Sequence, residues 1–272
     1  MEARISILER STPQVDINAP ICPFCGEPQD TRRGITAGTM SKLFKLCGCD
    51  GMKAYLEDRT AIIDCKDRIR ELDKRFERDR NTAWARLKSR GIGSRFLEAT
   101  FESFDRDLMS KAYETALSYA QSFDKNDGRG LIFTGNAGTG KTHLAAAIAG
   151  KIIDEYSLFV EFVSFVELLA DIKAAFSERS GKDVMLEKRM KEAALLIIDD
   201  LGREKRSQFT DELLYRVVDF RYRNKLPLII TTNYDLKSLS ERIDYAVLSR
   251  IIGICRAVDM NGMDYRVKDY LS

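Results

Sequence analysis

Residues 135–142 read GNAGTGKT, between the apolar run LIFT (131–134) and the helical pattern THLAAAIAGKIIDEY (142–156). A glycine-rich loop that joins a strand to a helix is a device for holding phosphate. Gly135, Gly138 and Gly140 let the chain curl, with Asn136, Ala137 and Thr139 between them, so that successive N–H groups point at phosphate oxygens. The helix that follows adds the partial positive charge of its N-terminus. Lys141 is placed to reach the β- and γ-phosphates and Thr142 to offer its hydroxyl to Mg²⁺, so the implied ligand is ATP with Mg²⁺.

Downstream of this loop, short β-rich runs alternate with helical patterns of ordinary length. FVEFV (159–163), ALLIID (194–199) and LPLIITT (226–232) read as strands, and the stretch around DELLYRVVDFRYR (211–223) as a helix. Apolar strands between helices predict an α/β fold, a parallel sheet flanked by helices on both faces. ALLIID ends in Asp199 and is followed by Asp200, at the edge where such a sheet places its ligand crevice. Asp199 is expected in the Mg²⁺ shell, and Asp200 is suited to orient or deprotonate an attacking water. Asn233, just beyond LPLIITT, is a candidate to hydrogen-bond both the γ-phosphate and that water. His143, the one histidine, stands beside Thr142 with no role assigned by the sequence.

Upstream, the texture differs. From Met52 to Arg90 there is no proline or glycine and charge is dense, which reads as one long helix. Acid-before-base pairs, Asp64 with Arg68 and Glu71 with Arg75, suit such a helix. It is either a solvated connecting helix with one packed edge or a partner-binding helix. Residues 20–51 hold Cys22 and Cys25 as CPFCG and Cys47 and Cys49 as CGC, with few apolar residues to form a core. Four thiolates close a tetrahedral Zn²⁺ site, and a closed site is structural, not catalytic. Free thiols or another cluster are the alternatives. Cys65 and Cys255 fall on apolar faces and read as buried thiols. The organisation expected is therefore a zinc-binding module (1–51), a charged linker helix (52–92) and a nucleotide-binding domain (93–272).

The 272 residues carry 44 Lys and Arg against 42 Asp and Glu, a net charge of +2, so there is no global pull toward nucleic acid or anionic lipid. No apolar run is long enough to span a membrane, and the start lacks the pattern of a signal peptide. A cytoplasmic protein without a membrane partner is expected, and in the cytosol cysteines stay reduced.

The succession GNAGTGKT, LLIIDDLGRE, a helix ending in DFRYR, LPLIITTN and a late LSRI resembles the AAA+ P-loop NTPases of the DnaC and DnaI helicase-loader and IstB transposition-helper family. ATFESFD before the first strand and MDYR near the C-terminus add to the resemblance, which covers roughly residues 95–270. It implies an ATPase that self-associates through its ATP site. Arg250 of LSRI would act in trans on a neighbour's ATP, and Arg266 of MDYR would touch the γ-phosphate of its own subunit. By the same resemblance, the stretch between FVEFV and ALLIID, with Lys173, Arg179 and Lys182, would line a path for single-stranded DNA. The N-terminal cysteines resemble the zinc-binding recruiting module of DnaI-type loaders. They favour a replicative helicase loader, with a hexameric helicase and single-stranded DNA as partners. The alternatives are an IstB-like helper that binds DNA and recruits a transposase, and an accessory ATPase with a scaffolding role.

Overall fold

The computed structural model describes residues 59–89, 92–177, 182–204 and 207–265. Cys22, Cys25, Cys47 and Cys49 lie outside these, as does Arg266. The chain divides into two compact units, 1–78 and 79–272. The division falls inside helix α1 (Arg59–Lys88).

Of the first unit, the described part is helical. The exposed Glu71 meets Arg78 at 3.5 Å, one turn beyond the expected Arg75. Such a pair is worth so little in water that neither geometry is enforced.

In the second unit the last turns of α1 change character, with Ala83 and Leu87 buried at an i, i+4 spacing. Between them Trp84 donates its indole N–H to Asp154 at 2.8 Å. Its ring lies over Gly150, where a Cβ would come within 3.2 Å. This packing places these turns in the second unit.

Helices α2 (Ser94–Leu97) and α3 (Ser110–Gln121) follow, then β1 (Gly130–Thr134), α4 (Lys141–Tyr156), β2 (Val160–Ser164), α5 (Phe165–Ser177) and α6 (Lys182–Glu192). The chain continues through β3 (Leu195–Asp199), α7 (Gln208–Arg223), β4 (Leu228–Thr231), α8 (Leu236–Ser240), α9 (Tyr245–Ile254) and β5 (Cys255–Asp259). The five strands are all parallel, in the order β2-β3-β4-β1-β5. This is the expected AAA+ P-loop architecture.

Alternate residues of each strand feed two cores. Leu131, Phe133, Ile197 and Ile229 face α3, α4 and the end of α1. Ile132, Leu196, Ile198 and Ile230 face the layer of α5 to α9. Small residues permit close helix packing on the first side, with Ala112, Ala116 and Ala120 of α3 buried against the alanine-rich α4. β5 is a strand that the sequence reading did not anticipate. It is an edge strand with only Cys255 and Val258 buried, too few apolar positions to show as a run.

A second unanticipated feature is Arg221 of α7, fully buried at 0% exposure. It donates to the carbonyls of Met190 (2.8 Å), Ala193 (3.0 Å) and Pro227 (2.6 Å). Those carbonyls end α6 and lead into β3 and β4, so one side chain ties three segments at the N-terminal edge of the sheet. Among the described residues no helix is long and apolar enough to cross a membrane.

Candidate nucleotide site and arginine face

Parallel strands bring their C-terminal ends to one edge, and β1, β3 and β4 deliver the predicted residues there. The loop from Gly135 to Gly140 turns with positive φ at Gly135 (131°), Gly138 (77°) and Gly140 (92°), a region that glycine enters freely. Gly140 also has no room for a side chain, since a Cβ would come within 2.5 Å of the Phe104 ring. Lys141 Nζ donates to Gly135 O at 2.8 Å and to Asn136 O, which fixes the ammonium over the loop. Thr139 donates to Asn136 O at 3.0 Å, and Asn136 N–H donates to Asn261 Oδ1 at 3.2 Å.

Across from the loop, Thr142 Oγ1 donates to Asp199 Oδ1 at 2.9 Å. The same carboxylate oxygen accepts the hydroxyl of Thr231, at the end of β4. Burial pushes the Asp199 carboxyl above its ordinary value; the Asp200 charge pushes the same way, while the two hydroxyls and Lys141 pull against it. Asp200 takes a left-handed conformation (φ 56°), and its N–H donates to Thr231 Oγ1 at 3.0 Å. Its carboxylate meets Asn233 Nδ2 at 3.4 Å and Arg203 Nη1 at 3.3 Å. A non-glycine residue held at positive φ is a local strain of the kind that clusters at functional sites.

The loop, Asp200 and Asn233 line one cavity of about 540 Å³, with Phe96, Phe104 and Leu108 on its other wall. That volume is in the range of small-molecule sites. His143 helps hold this wall in place. Its Nε2 lies 2.9 Å from Thr100 O and 3.2 Å from Ser103 Oγ, and its ring meets the edge of Phe104.

Arg250 does not line this cavity. It stands on α9, and its Nε donates to Asp219 Oδ1 of α7 at 2.8 Å. That hydrogen bond raises the guanidinium pKa above its ordinary value. The side chains of Lys173, Arg179 and Lys182 fall outside what the structure describes.

Thr231 and Arg203 beside the aspartates, and Asp219 and Tyr215 against Arg250 (Nη2 to the Tyr215 hydroxyl, 3.1 Å), are residues that the sequence analysis did not name. Thr231 had a signal, since LPLIITTN places a hydroxyl two positions before Asn233. Arg203, Asp219 and Tyr215 had none, being ordinary helix and loop residues until the fold brings them to their partners.

A family model described as IstB-like ATP binding protein matches residues 66–272. The chain belongs to that family. YqaM, an uncharacterized protein of Bacillus subtilis (strain 168), is 31% identical over 183 residues, 62% of this chain and 56% of YqaM. The chain thus spans little more than half the length of that relative. The replicative helicase loader DnaC of Escherichia coli (strain K12) is 25% identical over 211 residues, 76% of this chain and 81% of DnaC. A crystal structure of the DnaC helicase loader superposes with a TM-score of 0.56 at 29% identity, over 62% of this chain and 99% of that one.

Proposed function

We propose that this IstB-like protein is a Mg²⁺-dependent ATPase of DNA replication that loads a hexameric helicase onto single-stranded DNA. The observation that carries the chemistry is the meeting of the glycine-rich loop with Asp199, Asp200 and Asn233 at one sheet edge. The 211-residue alignment with a helicase loader supports the choice of task.

In this reading the loop N–H groups and Lys141 bind the triphosphate. The donors facing Lys141 are oxygens only, the Thr142 hydroxyl and the buried Asp199 carboxylate, which suits a hard divalent cation. Mg²⁺ held by Thr142 and Asp199 would neutralise charge on the β- and γ-phosphates. Asp200 accepts the proton of the attacking water, and Asn233, already against that carboxylate, orients the water. Arg250 acts on the ATP of a neighbouring subunit, so hydrolysis rises when subunits assemble, by on the order of a thousandfold. Arg266 contacts the γ-phosphate of its own subunit. The N-terminal part, with a zinc ion on Cys22, Cys25, Cys47 and Cys49 and the helix that follows, recruits the helicase. DNA runs along the stretch that carries Lys173, Arg179 and Lys182. A cytoplasmic location follows from that task.

The test is co-elution of the full chain with its host's replicative helicase, with and without ATP, followed by helicase loading on single-stranded DNA. A stoichiometric complex that disappears when residues 1–90 are deleted is the expected result. The match to the IstB-like family model favours a second reading, a transposition helper that binds duplex DNA and recruits a transposase. Absence of a helicase complex together with ATP-dependent binding to duplex DNA would decide for it.

A further inference from the structure

Arg250 is held from three directions. Besides the bond from Nε to Asp219, its Nη1 donates to Ala246 O at 2.9 Å and its Nη2 to the Tyr215 hydroxyl at 3.1 Å. The guanidinium also lies over the Tyr215 ring, 4.8 Å from the centroid. Tyr215, Asp219 and Arg223 form one stripe along α7 at four-residue spacing. Asp219 is 9% exposed, and its other oxygen accepts from Arg223 at 2.8 Å.

These contacts use one hydrogen on each nitrogen of Arg250 and leave the second hydrogen of each Nη, a pair suited to an anion's oxygens. The side chain remains 26% exposed, and Tyr245 at the start of α9 is 78% exposed. A long cation that arrives at a phosphate already oriented loses little freedom there, and misplacement by about 1 Å can cost a hundredfold in rate.

We propose that Asp219 and Tyr215 are positioning residues that hold Arg250 in the orientation needed to meet the phosphates bound by a second copy of this chain. This rests on the trans role of Arg250 stated above. Asp219 fixes Nε, and Tyr215 fixes Nη2 and lies under the guanidinium plane, so rotation of the group that carries the two remaining Nη hydrogens is restrained. Arg223, mostly exposed, neutralises the remaining Asp219 oxygen without touching Arg250.

The experiment measures ATP turnover in mixed assemblies of full-length chains. Asp219→Asn and Arg250→Ala are each assayed alone and mixed with Lys141→Ala, which has no turnover of its own but carries an intact Arg250. Asp219→Asn alone is expected to retain ATP binding and to lose about a hundredfold of the assembly-stimulated rate. Mixing with Lys141→Ala should then restore at least about tenfold of that loss, because the intact nucleotide sites again face a well-held arginine. Restoration of Arg250→Ala without restoration of Asp219→Asn would overturn the proposal alone, since Asp219 would then act within its own subunit. If neither is restored, the trans role of Arg250 fails and the proposal falls with it. Undiminished turnover by Asp219→Asn would also overturn it. Should Asp219→Asn not fold, Tyr215→Phe decides. It removes the hydroxyl and keeps the ring, so a smaller, equally rescuable loss supports the proposal, and no loss or no rescue overturns it.

Discussion

Arg221 sits where β3 and β4 begin and Asp199 sits where β3 ends, and each is a charged group taken out of water. At the first edge the guanidinium is answered by main-chain carbonyls of three segments, although burial still draws its pKa down to about 9. At the second edge the carboxylate receives only two hydroxyls and stands beside another carboxylate. The first arrangement gives both Nη atoms permanent main-chain partners, leaving only the buried Nε without one, and so holds the fold together. The second leaves a buried anion under-answered beside a phosphate-binding loop, which lowers stability and creates an appetite for a cation. The two edges of one sheet divide structure from chemistry, in line with the tendency of ligands to bind at strand C-terminal ends.

That division is broken most directly by changing Asp200. Asp200→Asn keeps the shape of the side chain, and asparagine tolerates the left-handed backbone at φ 56°. Loss of the proton acceptor proposed for the reaction should lower ATP turnover by about a hundredfold to ten-thousandfold. Melting temperature and ATP affinity should stay near those of the parent, as measured by calorimetry and nucleotide titration. A large drop in melting temperature would mean that Asp200 is part of the framework.

The reverse outcome is expected for Arg221→Met, which preserves length but leaves several buried carbonyls without a donor. A loss on the order of 3 kcal/mol follows from unmade hydrogen bonds to a charged group. For a domain of this size that corresponds to about 6–12 °C in melting temperature. Turnover per folded molecule, measured well below the new midpoint, should remain close to the parent value. A variant that is stable but inactive would place Arg221 in the chemistry.

The two edges were also unequally legible. GNAGTGKT and the paired aspartates announce themselves because phosphate binding needs glycine at left-handed positions and a strand end needs carboxylates in a fixed order. β1 to β4 were readable for a related reason: strands buried on both faces leave continuous apolar runs. Arg221, by contrast, looks like any basic residue in DFRYR. Its burial depends on where α6 and the segment before β4 end, which no local pattern encodes. β5 was hidden because Arg256, Ala257 and Asp259 are exposed and interrupt any apolar run. Arg250 was named by resemblance, whereas its partners Asp219 and Tyr215 became visible only when α7 and α9 packed together.

Asp199→Asn gives a small effect on stability, and the one whose sign is least intuitive. The amide oxygen can still accept from Thr142 and Thr231, so the substitution removes the buried charge and keeps both hydrogen bonds. Because burial raises the Asp199 pKa above 3.8, the folded chain binds more protons than the unfolded chain over the interval between the two values. Stability therefore falls as pH rises from 3.8 through the raised folded pKa, and the cost is complete once the folded side chain has ionised. Without added nucleotide, the variant should melt above the parent at pH values above the folded pKa of Asp199. Its advantage should shrink as the pH is lowered toward about 4. Mg²⁺ with ATP should raise the melting temperature of the parent more than that of the variant, and the variant's turnover should be lost. A variant that melts below the parent at neutral pH would show that Asp199, like Arg221, holds the framework, and the contrast between the two edges would disappear.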